Sequence, residues 1–236
     1  MTRVKVLLAV AAVAMGVGLW FAFTAPTDTL QGEFTRIINL HAPSMWLAFL
    51  AFGMTALGSV MWLIRKKDSW DRFAASSAEL GVLFTGIGLF TGMVWGQAVW
   101  GRAWDWGDWR LSTTAVMFFV YIAYLALRGA TPDPVVRARR SALLGAIAVI
   151  QIPIVYFSVY LFRTLHQTPS IRPDGVTMPR EMGIAILVNV IAFTVVYVAL
   201  LVVRIDVAIA EERLEAEEAT AGDSVKPPRL SEIGDV

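Results

Sequence analysis

The chain has 236 residues, of which 57% are hydrophobic and 17% charged, with a net charge of +1. That balance excludes a soluble globular domain of ordinary composition and leaves no basic footprint for nucleic acid, so none is expected as a partner. Cysteine is absent, which excludes disulfide exchange, thiolate metal ligation and thiol nucleophiles.

A charged start with Arg3 and Lys5 precedes a charge-free run from Leu7 to Thr27. The run is long for the apolar core of a secretory signal, so it predicts an uncleaved membrane anchor. Charge-free runs follow from Ile37 to Ile64, Ser112 to Leu127, Ser141 to Phe162 and Met182 to Val203, and another from Phe73 to Gly101 is interrupted only by Glu79. Each approaches the ~20 residues a helix needs to cross hydrocarbon, and an open sheet cannot satisfy its backbone there. The expected fold class is all-α: a polytopic integral membrane protein of about six transmembrane helices in the lipid bilayer. The span after Ser112 is the shortest. Glu79, placed near the start of the third span, is expected to pair with a basic residue or to meet a partner subunit.

Basic residues set the orientation. Arg3 and Lys5, the group Arg65, Lys66, Lys67 and Arg72, the group Arg128, Arg137, Arg139 and Arg140, and finally Arg204 and Arg213 all fall in the gaps on one side. The positive-inside rule puts that side, with both termini, in the cytoplasm. The expected division is a membrane domain over 1–204, with outer loops at 25–42, 95–111 and 163–181, followed by an acidic cytoplasmic tail over 205–236.

Five tryptophans, Trp95, Trp100, Trp104, Trp106 and Trp109, crowd the stretch WGQAVWGRAWDWGDW. Indole faces stack on flat ligands at little entropic cost, and Gly96, Gly101 and Gly107 let the backbone bend so that several rings address one plane. An ordinary interfacial aromatic belt is the alternative. The only histidines are His41, just before the second span, and His166, just after the fifth. The gaps after spans one, three and five share one side, so both histidines and the tryptophan loop can converge. Each histidine could be a surface residue. Together they are suited to six-coordinate haem iron. Zinc fits less well, because only carboxylates remain nearby to complete four ligands. Arg36, Arg102, Arg110 and Arg163 fall on the same face as candidate partners for haem propionates.

The stretch WGRAWDWGDWRLS resembles the tryptophan-rich WWD motif of membrane haem-handling proteins. RIINLHAPS and FSVYLFRTLHQ are similar to the two histidine segments of the cytochrome c maturation protein C (CcmC, haem exporter protein C) family. The likeness covers nearly everything from the first span to the sixth. It implies haem, here haem b, held at the periplasmic face of the inner membrane and passed to a periplasmic haem chaperone. His41 and His166 would be its axial ligands. Trp100, Gly101, Trp104, Trp106, Asp108 and Arg110 would form the platform, with Trp95 and Trp109 beside it. Other cytochrome c maturation subunits, including an ABC-type ATPase complex, are the implied partners. Haem attachment to the chaperone would be lyase-like and would use no nucleophile of this chain.

Two departures leave roles open: Ala103 stands where a second aromatic is common, and Gly107 splits Trp106 from Asp108, so either Asp105 or Asp108 could be the motif's aspartate. Two other functions compete. A b-type electron-transfer subunit would place histidines near the centres of its spans, and a transporter subunit would need a midplane polar site.

Overall fold

A computed structural model describes residues 2–162, 164–166, 171–172 and 175–224; Arg163 and the tail beyond 224 lie outside the described residues. The helices are α1 (Thr2–Thr24), α2 (Ile38–Arg65), α3 (Asp68–Trp100), α4 (Trp109–Gly129), α5 (Pro134–Ala148), α6 (Gln151–Leu161) and α7 (Arg180–Ser224). Among the described residues six stretches are long and apolar enough to cross a membrane, α5 and α6 forming one of them. The fold is all-α apart from a short antiparallel ladder that pairs Ile171 with Val176 and Arg172 with Gly175.

Local chemistry sets the boundaries. Asp108 caps α4 by accepting from the Leu111 N–H at 3.0 Å, and Asp133 caps α5 by accepting from Val136 at 2.8 Å, with Pro134 in the first turn. The α5–α6 break follows from Pro153, which has no N–H to offer the Val149 carbonyl; Ile152 donates to that carbonyl instead, at 3.0 Å. α3 stops at Gly101, whose φ of 71° is a left-handed helix cap.

These signals move several expected boundaries. α3 starts at Asp68 rather than Phe73, which puts Glu79 well inside the helix. The short fourth span lengthens because its capped helix begins at Trp109. The tryptophan loop shrinks to 101–108, since Trp95 and Trp100 finish α3 and Trp109 opens α4. His41 belongs to the first turn of α2, not to the preceding connection. α7 runs through Arg204 into the acidic segment without a break.

α2 packs against α3 along small residues. A Cβ on Gly81 would lie 2.3 Å from the Phe52 ring, the close approach that small residues permit between membrane helices. Beside a small apolar cluster of Trp62, Ala138 and Ala142, two large ones form most of the core. One joins Leu47, Leu80, Phe84, Phe193 and Tyr197 across α2, α3 and α7; the other joins Phe52, Ala78, Met117, Tyr121 and Val155 across α2, α3, α4 and α6. α1 lies on α7, where the buried Asn189 donates to the Gly18 carbonyl at 3.0 Å. This frame brings the start of α2, the end of α3, the start of α4 and the end of α6 to one end of the bundle.

Candidate functional site at the histidine end

His41 presents Nδ1 to two acceptors on α3, the Gly88 carbonyl at 3.0 Å and Thr91 Oγ1 at 3.3 Å. A carbonyl only accepts, so the bond to Gly88 puts the ring proton on Nδ1 and leaves a lone pair on Nε2. The ring fits because α3 carries Gly92 opposite it: a Cβ there would stand 3.1 Å from His41 Cε1.

His166 follows α6, and its Nδ1 lies 3.4 Å from Thr164 Oγ1 and 3.5 Å from Asp108 Oδ2. Among the described residues neither Nε2 has a hydrogen-bond partner. His166 and Arg110 both lie close enough to act electrostatically on His41, so these three groups share one neighbourhood.

The indoles do not form a single flat stack. Trp95 meets Trp100 at 4.8 Å and 73°, and Trp104 meets Trp106 at 5.1 Å and 69°, both edge to face as the ring quadrupole prefers. Trp100 meets the His166 ring in the same way at 5.1 Å. Trp95 is tethered from the α1–α2 connection by Gln31, whose Oε1 accepts from the indole N–H at 3.2 Å. Trp109 lies flat on Phe162 at 4.2 Å, while Trp106 is 73% exposed. Gly101 serves the turn that ends α3.

The two aspartates part company. Asp105 pairs with Arg102 at 2.8 Å and caps the Gly107 N–H at 2.8 Å, an exposed arrangement within the loop. Asp108 is 3% exposed and accepts from Thr164 Oγ1 at 2.7 Å and the Leu165 N–H at 2.6 Å, as well as from Leu111. Burial by itself would raise its pKa; the His166 ring, Leu111, Thr164 and Leu165 outweigh that and hold the carboxyl well below the ordinary range. It is an anion beside His166.

The arginines also separate. Arg36 pairs with Glu33 and spans the Ala22, Phe23 and Ala25 carbonyls at the end of α1, and Arg102 is held by Asp105. Arg110 donates to the Tyr156 carbonyl at 3.1 Å, and its buried Nε finds no acceptor among the described residues, as is also true of Trp104 Nε1. Two lone-paired imidazole nitrogens and two unspent donors suit a flat, metal-bearing, anionic ligand such as haem. Gly88, Thr91, Gly92, Gln31 and Thr164 escaped the sequence reading. The only signal for the first three was a glycine-threonine-glycine face on α3 within reach of His41.

Fold and site together define a six-span membrane protein with a histidine- and tryptophan-lined site at one end of its bundle. The family model described as "Heme exporter protein C" matches residues 1–220. The Heme exporter protein C of Bradyrhizobium diazoefficiens is 35% identical over 195 residues, 82% of this chain and 74% of that protein. That of Haemophilus influenzae is 32% identical over 202 residues, 85% and 82% of the two chains. A putative cytochrome c biosynthesis ccmC-like mitochondrial protein of Marchantia polymorpha is 35% identical over 175 residues, 74% and 72%. The chain belongs to the heme exporter protein C family.

Proposed function

We propose that the histidine end holds haem b as cargo between His41 and His166 and delivers it to a periplasmic haem chaperone. A haem-handling role in cytochrome c biogenesis follows from family membership. What supports the finer reading is one observation: the only two histidines of the chain lie at one end of the bundle, each with Nδ1 turned to acceptors and, among the described residues, no hydrogen-bond partner on Nε2.

In this reading Trp100 and Trp104 border the ring, while Arg110 Nε and Trp104 Nε1 offer donors to its carboxylates. The basic gaps face the cytoplasm with both termini, and the site opens to the periplasm across the inner membrane. Transfer needs no nucleophile from this chain; its part is to position the cargo and exclude competing ligands. Other cytochrome c maturation subunits, an ABC-type ATPase complex among them, are the proposed partners.

The test is the absorption spectrum of protein purified from membranes, with His41→Ala and His166→Ala beside it. A low-spin haem spectrum is expected from the wild type. Each variant should lose most of its haem, and added imidazole should restore part of it by filling the vacated position. Full retention with unchanged spectra in both variants overturns the assignment.

A further inference from the structure

We infer that Asp108 is a positioning residue for His166, and that its carboxylate makes His166 a stronger donor to bound iron than His41. This rests on the haem-holding reading above and goes beyond it, because it makes the two histidines unequal. The argument follows the protons. Thr164 Oγ1 has one proton, and it points to Asp108 Oδ2 at 2.7 Å. Toward His166 this hydroxyl therefore offers only lone pairs, which take the backbone N–H of His166 at 3.1 Å and face the ring Nδ1 at 3.4 Å.

The second neighbour of that nitrogen is Asp108 Oδ2 at 3.5 Å, also acceptor-only. His166 Nδ1 is thus the donor, and Nε2 the free ligand atom. At His41 the same logic runs through neutral groups: the Gly88 carbonyl, and a Thr91 hydroxyl whose proton goes to the Ile87 carbonyl at 2.8 Å. Both rings have the same tautomer, but only His166 has an anion behind it. A carboxylate behind a ligating imidazole raises its donor strength, and losing such a partner typically weakens metal binding by about 10–100-fold. No lysine or arginine comes within ion-pair distance of Asp108 among the described residues; Arg110 feels its charge from further off, and the groups in direct contact with the carboxylate are the imidazole, the hydroxyl and the two backbone N–H groups.

The experiment compares wild type, Asp108→Asn, Asp108→Glu and Thr91→Val in the full-length protein. Asparagine caps a helix as well as aspartate does, so α4 keeps its start while the charge disappears. Asp108→Asn should bind haem about 10–100-fold more weakly, and the haem it retains should show a raised reduction potential, because the ferric state loses anionic support. Asp108→Glu should restore part of both, and Thr91→Val should move the potential less.

A second readout needs no haem. With only two histidines in the chain, 15N-histidine spectra of the haem-free protein resolve each ring, and His166 should pass from the Nδ1–H form in wild type to a mixture in Asp108→Asn. A role limited to capping α4 and tying down residues 164–166 predicts an unchanged potential in the retained fraction. That result, or an unchanged His166 tautomer, overturns the inference while leaving the haem site standing. A wild type without haem overturns both.

Discussion

The two ends of the bundle treat their carboxylates differently. At the end that carries the α2–α3 and α4–α5 connections, Asp71 is forked by Arg128 through Nη1 and Nη2 at 2.6 and 2.8 Å. Glu79 is forked by the Nε and Nη2 of Arg204, and Glu212 takes Arg72 at 2.8 Å. Arg72, Glu79, Arg128, Arg204 and Glu212 line a cavity of about 400 Å³ and spend most of their charge in these pairs; Arg137 lines it too, its buried Nε without an acceptor among the described residues. At the histidine end the buried Asp108 is met by an imidazole, a hydroxyl and backbone N–H groups. A forked guanidinium neutralises the carboxylate it holds, whereas an imidazole that turns one nitrogen to an acceptor keeps the other for a ligand. The arginine end is therefore mainly a clamp, and the histidine end keeps ring nitrogens for the ligand proposed above.

The largest expected difference between the ends is their side of the membrane. Reporters fused at Lys67 or Ala138 should read as cytoplasmic, and those at Gly32 or Gly107 as periplasmic; all four reading the same side would break the comparison. Next in size is Arg128→Ala. With the pair only 16% and 14% exposed, removing one partner strands the other and should cost about 3–5 kcal/mol in thermal or denaturant unfolding. The haem absorption of the surviving folded fraction should be unchanged. A loss of haem there without loss of stability would show that the two ends are coupled.

A smaller effect tests the indoles. Trp104→Ala should weaken haem binding by about 1 kcal/mol, roughly fivefold, through lost ring contact. Trp46→Ala is the comparator, since Trp46 is 45% exposed on α2 and donates its indole N–H to Thr194. Trp62, nearer the other end of α2, is unsuitable because it is 5% exposed and carries the Lys66 ammonium over its ring. Equal haem loss in the two variants would favour an interfacial aromatic belt. The smallest effect is expected from Glu79→Gln: that pair is 28% and 35% exposed, so the change should cost under about 1 kcal/mol in the same unfolding measurement.

Much of this was legible along the chain. The charge-free runs marked six spans because hydrocarbon demands about 20 apolar residues from any helix that crosses it. The parity of those spans put His41, the tryptophan stretch and His166 on one side. The boundaries were less legible: Trp109, Arg110 and Leu111 read as loop because Arg110 is charged, and only the Asp108 cap shows that the helix has already begun. Glu79 was recognised as needing a partner, but Arg204 lies 125 residues away, and no local pattern names it.

The sequence by itself determined the membrane class, the span count and the small set of side chains proposed to hold haem. These depend on composition, periodicity and parity, which are properties of the chain alone. Tertiary structure decided which aspartate lies beside His166, that Arg110 keeps an unspent donor at this end, and that the indoles meet edge to face rather than in one plane. Such choices turn on hydrogen bonds about 3 Å long between α2 and α3, or between the start of α4 and residues 164–166. Asp105 and Asp108 look alike in the sequence. They are separated by where helix α4 begins and by what the chain brings back to its first turn.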